Sequence, residues 1–190
     1  MPRPIFLTSP PRDKNRPEFL RRLYGVRGFL ALIWSCSFAM ISFGSLSALA
    51  VMVAAYPLLD ALASWREHAE SRPGVSLLTQ LNAWLSLVVS VTLLLITQYG
   101  ASWALGTFGV WAILSGAAQI FVALSRRRST AAAQWPMYVA GSLSMVAGAT
   151  YVFKATQPEP QLKVFAVYAA GGGIFFIIQS ILLWWRGRRV

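Results

Sequence analysis

Residues 73–125 read PGVSLLTQLNAWLSLVVSVTLLLITQYGASWALGTFGVWAILSGAAQIFVALS, a run of 53 residues without a charged side chain. A helix that crosses a membrane needs about 20 mostly apolar residues. The run is therefore long enough for two spans, and the stretch Thr97-Gln98-Tyr99-Gly100 predicts the break between them. Backbone groups in hydrocarbon must bond within their own segment, so both spans are predicted to be α-helices.

Three more uncharged runs lie at residues 28–59, 129–153 and 164–185. A single helix from Gly28 to Trp65 would be about 57 Å long, against a hydrocarbon core of about 30 Å, so we expect a hairpin that turns near Phe43-Gly44-Ser45. The predicted fold class is all-α, a polytopic membrane protein with six transmembrane helices. Their expected positions are about 24–43, 46–65, 77–97, 101–125, 135–154 and 163–185.

The composition of the chain agrees with a membrane location. Of the 190 residues, 56% are hydrophobic and only 12% are charged. An average soluble domain has about 25% charged residues. This composition excludes a disordered chain and an ordinary soluble domain.

The 17 basic residues predict the orientation of the chain. Fifteen lie at the termini, at the start of the first span or in the loops after the second and fourth spans, and only Lys154 and Lys163 lie at the opposite ends. Positive charge is retained on the cytoplasmic side, so both termini are predicted to be cytoplasmic. The same charge predicts contact with anionic lipids at the cytoplasmic face. No nucleic-acid partner is expected, because the charge follows the membrane topology and does not cluster with aromatic residues in a soluble domain.

Two regions are expected along the chain. Residues 1–22 hold five of the ten prolines and six basic residues, which predicts a disordered basic cytoplasmic arm. Residues 23–190 are expected to form the six-helix membrane domain. The segment Ala48-Leu49-Ala50 has the small residues of a signal-peptidase site, but the polar, proline-rich stretch before residue 28 is long for a signal peptide. We therefore expect the first hairpin to stay uncut.

The helices are predicted to form three hairpin repeats, at about 24–65, 77–125 and 135–185. Each repeat consists of an odd helix, a short outer turn, an even helix and a basic cytoplasmic end. The first basic residues after the even helices, Arg66, Arg126 and Arg186, are each 60 residues apart. Regular spacing of this kind suggests duplication of one unit.

Three segments resemble the HdeD-like family of bacterial integral membrane proteins, which are built from short two-helix repeats and include an acid-resistance protein. The segments are GVWAILSGAAQIFVALSRRR (109–128), WPMYVAGSLSMVAGATYVFKA (135–155) and AVYAAGGGIFFIIQSILLWWRGRR (166–189). The resemblance covers about residues 80–189, while AYPLLDALASW (55–65) fits more loosely. It implies a six-helix protein of the bacterial inner (plasma) membrane with a link to acid stress, and it supplies no catalytic residue.

One polar residue lies near the cytoplasmic end of each even helix. Asp60, the only acid within a predicted span, lies six residues before Arg66, and Arg27 is its candidate ion-pair partner. Gln119 and Gln179 lie seven residues before Arg126 and Arg186. If the repeats pack with pseudo-threefold symmetry, Asp60, Gln119 and Gln179 meet in a polar layer. Asp60 is interpreted as a boundary ion pair or snorkelled acid, with a proton- or ion-coupling role and an assembly contact as alternatives. The layer is interpreted as structural, with a narrow site as the alternative.

Small residues recur four apart on several spans. Gly116, Gly148 and Gly173 each follow a small residue at this spacing, which lets two helix backbones approach closely, so we predict that they lie at helix packing contacts. Asn82, Ser86 and Ser90 fall on one face of the third helix and are interpreted as a packing face, with a pore lining as the alternative. Gly171-Gly172-Gly173 is interpreted as a packing contact or hinge, and local unwinding of the sixth helix is the alternative.

Residues for catalysis or metal binding are scarce. His68 is the only histidine and Cys36 the only cysteine, so neither a zinc set nor an internal disulfide is expected. We expect no enzymatic activity, cofactor or metal. The predicted function is a non-enzymatic, multi-pass inner-membrane protein of envelope or stress physiology, either as a homo-oligomer or with a membrane partner. The alternatives are a small transporter or channel that uses Asp60, Gln119 and Gln179, and a membrane subunit of a larger complex.

Overall fold

The computed structural model describes residues 16–40, 45–70, 73–130 and 135–188, and this part of the chain is all-helical. Its six helices are α1 (Arg16–Met40), α2 (Leu46–Ala69), α3 (Pro73–Ile96), α4 (Ala101–Thr130), α5 (Trp135–Ala155) and α6 (Val164–Gly187). The predicted break within the 53-residue run is confirmed. A 3₁₀ turn at Thr97–Tyr99 ends at Gly100, whose φ of 121° suits a residue without a Cβ.

The predicted turn near residue 44 lies between the end of α1 at Met40 and the start of α2 at Leu46. The backbone of Ser45 is extended and its hydroxyl accepts a hydrogen bond from the amide of Ala48, so Ser45 is the N-cap of α2. Phe43 and Gly44 lie outside the described residues.

The first helix begins earlier than the sequence predicted. Residues 16–22, which were expected to belong to a disordered arm, are helical. Pro17 suits the first turn of a helix, where its missing amide hydrogen is not needed. The guanidinium of Arg22 donates to the carboxylate of Glu18 one turn earlier, at 2.5 Å, which stabilises this exposed turn. Residues 1–15 of the predicted arm lie outside the described residues.

The helices run alternately up and down, as two separate clusters of buried side chains show. One cluster joins the C-terminal end of α1, α3 and α5 to the N-terminal end of α2, α4 and α6, with Phe38, Leu105 and Phe165 among its members. The other joins the opposite ends of α1, α3, α4, α5 and α6 and contains Tyr24, Val122 and Met137. We call these the turn end and the basic end, because Gly100 lies at the first and Arg22 at the second.

The helix pairs with the most extensive contacts are α4–α5, α1–α6 and α2–α3. The two helices of each predicted hairpin contact one another less, and α1 and α2 do so only sparsely. The bundle is therefore held together mainly by contacts between the predicted repeats, and the three-hairpin repeat arrangement stays a prediction.

Five of the six helices in the described residues are long and apolar enough to cross a membrane, namely α1, α2, α3, α4 and α6. The prediction of a membrane protein is confirmed at this level. Helix α5 is not among the five. It is the shortest of the six, and its Gly, Ser, Thr and Tyr residues lower its mean hydropathy.

Candidate functional site

A buried carboxylate at the basic end binds three side chains from two neighbouring helices. Asp60 of α2 is only 8% exposed. Its Oδ1 accepts a charge-assisted hydrogen bond from Arg27 of α1. Its Oδ2 accepts from Asn82 Nδ2 at 2.9 Å and from Ser86 Oγ at 2.7 Å, both on α3. Both carboxylate oxygens are thus occupied, which stabilises a charge that would be costly alone in an apolar interior.

The side chains that donate to Asp60 are themselves held by further contacts. Ser86 Oγ accepts a hydrogen bond from the indole nitrogen of Trp111 on α4, at 2.9 Å. Asn82 Nδ2 also donates to Ser64 Oγ, at 2.9 Å. The guanidinium of Arg27 lies over the ring of Phe176 on α6, 4.2 Å from its centroid, in a cation–π contact. Five helices, α1, α2, α3, α4 and α6, therefore hold the Arg27–Asp60 pair in place.

The predicted polar layer is not assembled as such. Within the described residues, no hydrogen bond joins Asp60 to Gln119 or Gln179. Gln119 lines a small cavity beside Arg27. Gln179 is buried at 1% exposure, and its Oε1 has no hydrogen-bond partner in the described structure. The partners of Asp60 come instead from α1 and from the polar face of α3.

The small cavity lies between Asp60 and the basic end. Its volume is about 30 Å³, and its polar lining includes Arg27, Ser64, Glu67, Asn82 and Gln119. Among the described residues, the buried Oδ1 of Asn82 has no hydrogen-bond partner. A polar cavity needs roughly 10–15 Å³ to hold one water molecule, so this one has room for one or two. Water there would complete the hydrogen bonding of Asn82.

Glu67 is a buried acid that the sequence analysis placed in a cytoplasmic loop. Helix α2 continues to Ala69, so Glu67 lies two turns after Asp60 on the same helix face. It is 3% exposed and accepts a hydrogen bond from the hydroxyl of Tyr24, at 3.2 Å. The spacing of Asp60, Ser64 and Glu67 was the available signal, since positions i, i+4 and i+7 share one face.

The glycines predicted to pack are at points where two backbones meet. A Cβ at Gly148 would lie 2.5 Å from the carbonyl oxygen of Gly109, and one at Gly116 would lie 2.6 Å from that of Gly141. A Cβ at Gly173 would lie 2.9 Å from the carbonyl oxygen of Gly28. The first two contacts join α4 to α5 in antiparallel fashion, and the third joins α6 to α1.

The triple-glycine segment of α6 stays helical, since α6 is continuous from Val164 to Gly187. Metal-ligand chemistry is not evident in the described residues, where no group of three or more His, Cys, Asp or Glu side chains could hold an ion. The ring of His68 contacts Ser76, at the junction between α2 and α3, and Cys36 is exposed.

The fold and the site define a helical membrane protein with a buried ion pair at one end of its bundle. Residues 81–153, from α3 to α5, match the family model described as a short repeat of unknown function (DUF308). This match is consistent with an HdeD-like membrane family. Comparison with curated proteins found no significant match. Comparison with solved structures found none either.

Proposed function

We propose that the chain is a non-enzymatic, multi-pass protein of the bacterial inner membrane that serves the cell envelope under stress, acid stress included. The family match and the five apolar helices support the membrane part of this proposal. The resemblance of residues 80–189 to HdeD-like proteins supports the stress part. A strain that lacks the chain is expected to survive an acid challenge less well than its parent, and equal survival would contradict the acid-stress role.

We further propose six spans with both termini in the cytoplasm. Helix α5 is the predicted span that is not among the five long apolar helices. Its packing nevertheless supports a crossing. It contacts α4 at Gly116–Gly141 and again at Gly109–Gly148, seven residues further along each helix, so it lies beside a helix of spanning length. The 15-to-2 division of basic residues supports the orientation.

Reporter fusions test this topology. A reporter that is active only outside the cytoplasm is expected to give a signal when fused at Gly100 or at Gln157, and none when fused at Val190. If α5 does not cross the membrane, the Gln157 fusion is expected to give no signal and the Val190 fusion is expected to be active. The two outcomes therefore separate six spans from five.

A structural role for the Arg27–Asp60 pair is the part of the proposal that the geometry supports most directly. The observation that carries it is the binding of Asp60, whose two oxygens accept three hydrogen bonds from Arg27, Asn82 and Ser86. Charge-assisted hydrogen bonds of this kind are strong and hold the carboxylate in one position between three helices. We infer that the pair holds α1 against α2 and α3.

Neutral variants of the pair test this inference. Removing one partner of a buried ion pair costs about 3–5 kcal/mol, because the other charge is left uncompensated. Arg27→Gln is therefore expected to lower the melting temperature in detergent strongly, and Arg27→Gln with Asp60→Asn to recover most of the loss. At matched expression, Asp60→Asn should leave acid survival near wild type.

A small transporter or channel is the second candidate function. The observation that favours it is the polar cavity beside Arg27, together with the unpartnered oxygens of Asn82 and Gln179. If Asp60→Asn and the double variant both abolish acid survival while the protein stays folded and abundant, this function replaces the structural one. The third candidate is a membrane subunit of a larger complex. In that case native gels should show a defined assembly that disappears in a strain without the chain.

A further inference from the structure

A groove opens on the side of the bundle between α1 and α2, the two helices that contact one another only sparsely. Its volume is about 500 Å³, within the range of about 300–1,000 Å³ that is usual for small-molecule sites. Its two walls are apolar and are formed by Leu23, Val26 and Leu30 on α1 and by Leu59, Leu62 and Ala63 on α2. We call it the α1–α2 groove.

The length of the α1–α2 groove matches one leaflet of a bilayer. Its lining extends from Phe19 to Ala31 on α1 and from Arg66 to Tyr56 on α2. At about 1.5 Å per residue, these stretches are about 18 and 15 Å long, and the extra turn at Phe19 lies at the headgroup end. Half of a hydrocarbon core of about 30 Å is about 15 Å. The groove therefore begins at the level of the headgroups and ends near the midplane.

The charges at the mouth of the groove suit an anionic headgroup. Arg22 and Arg66 line the groove at its basic end, one on each helix. Arg66 makes no ion pair within the described residues, and the pairing of Arg22 with Glu18 is an exposed one, which contributes little. A phosphate at this level could bind both guanidinium groups, since arginine binds phosphate in a bidentate manner.

We propose that the α1–α2 groove binds one anionic phospholipid of the leaflet at the basic end. Its phosphate lies between Arg22 and Arg66, and an acyl chain follows the walls toward Ala31. The Arg27–Asp60 pair and Tyr56 lie along the same groove, so the acyl chain covers the ion pair from the bilayer side.

This inference rests on the proposed membrane location, and it is tested on the full-length protein in nonionic detergent. Native mass spectrometry measures the binding of phosphatidylglycerol and of phosphatidylcholine with the same acyl chains. Phosphatidylglycerol is expected to bind more tightly. Glycerol phosphate, which has the headgroup charge but no acyl chain, is expected not to compete, which separates a lipid site from a free-phosphate site.

Two sets of variants locate the site. Each basic residue near an anionic surface corresponds to about fivefold in affinity, so Arg22→Gln with Arg66→Gln should weaken phosphatidylglycerol binding about 25-fold. The matched control, Arg186→Gln with Arg188→Gln at the end of α6, should change it less than twofold. Ala63→Trp fills the apolar wall and should weaken both lipids.

Three results would overturn the proposal. They are unchanged binding in the Arg22 and Arg66 variant, an equal loss in the control pair, and unchanged binding in Ala63→Trp. If phosphatidylglycerol has no effect and Ala63→Trp lowers the oligomeric mass, a second copy occupies the groove. A reversed reporter topology would move the site to the other leaflet without altering binding in detergent, so the two proposals can fail separately.

Discussion

The α4–α5 and α2–α3 pairs both make extensive contacts, but different interactions hold each pair together. Between α4 and α5, Gly109 lies against Gly148 and Gly116 against Gly141, and no side chain separates the backbones at these points. Between α2 and α3, Ser90 donates to the carbonyl oxygen of Ala54, while Asn82 and Ser86 donate to Asp60. The α4–α5 contact depends mainly on shape, with a hydrogen bond from Ser144 to the carbonyl oxygen of Ala112 in addition, and the α2–α3 contact depends mainly on hydrogen bonds.

The difference shows what can hold helices together where water is absent. Lipid tails are as apolar as leucine, so apolar side chains gain little by moving from lipid to protein. Close backbone approach and hydrogen bonds remain as the attractive forces. Polar contacts within a membrane average only about 0.6 kcal/mol, whereas a bulky side chain at a glycine contact forces the helices apart. The two contacts should therefore respond very differently to substitution.

Of the two helix contacts, α4–α5 is expected to show the larger effect of a single substitution. Gly148→Leu places a Cβ 2.5 Å from the carbonyl oxygen of Gly109 and 2.9 Å from the amide nitrogen of Ile113, and these backbone atoms cannot rotate away. Overpacking of this kind costs about 3 kcal/mol or more. The melting temperature and yield in detergent should fall sharply. Leu95→Ala, on an exposed part of α3, is the control and should change both much less.

A Gly148→Leu protein as stable as wild type would show that this face of α5 does not depend on close approach. It would also remove the packing argument for a crossing by α5.

A smaller effect is expected at the α2–α3 contact. Ser86→Ala removes one donor to Asp60 and leaves the indole of Trp111 without its acceptor. The expected loss is about 1 kcal/mol, because the loss of hydrogen bonds in a membrane is usually modest. Thermal unfolding in detergent measures it. Thr92→Ala, which loses only a bond to the carbonyl oxygen of Val88 on its own helix, should melt near wild type. A Ser86→Ala loss as large as that of Gly148→Leu would refute the ranking.

The smallest change in stability is expected at Gly171, and there the substitution should make the protein more stable. A Cβ there meets nothing within 4 Å, although Gly171 adjoins the tightly packed Gly173 region of α6. Gly171→Ala should stabilise the protein by about 0.5–1 kcal/mol, because alanine loses less backbone entropy in a helix. Gly148→Ala should destabilise it in the same assay. A loss of stability from Gly171→Ala would point to a contact absent from the described structure.

Sequence patterns predicted individual elements better than the relations between them. The break at Gly100 and the six helices follow from runs of uncharged residues and a turn signal, which are local properties. Asp60 was identified as the acid to examine because it is the only one within a predicted span. Its binding by Arg27 could be proposed because both lie near the predicted cytoplasmic ends of two neighbouring, oppositely directed spans.

Other features depended on which helices are neighbours and which of their faces pack together. The polar layer of Asp60, Gln119 and Gln179 assumed a symmetry that equal spacing suggests but cannot establish. The side chains that bind Asp60 come from α1 and α3, and Glu67 is buried because α2 continues past the predicted boundary. A basic residue such as Arg66 marks a membrane surface in sequence, yet it does not show where a helix ends.

The sequence by itself determined that this chain is a bundle of apolar helices with its positive charge at one end. The lengths of the uncharged runs and the positions of the basic residues can be read directly from the sequence. Only the tertiary structure decided that α4 packs most closely on α5 and that a groove lies between α1 and α2. It also decided that the two oxygens of Asp60 accept hydrogen bonds from Arg27, Asn82 and Ser86. The physical reason is that helices in lipid lack a strong hydrophobic drive toward one another. Their partners are chosen by close-range shape and hydrogen bonding, which depend on the rotation of each helix about its axis.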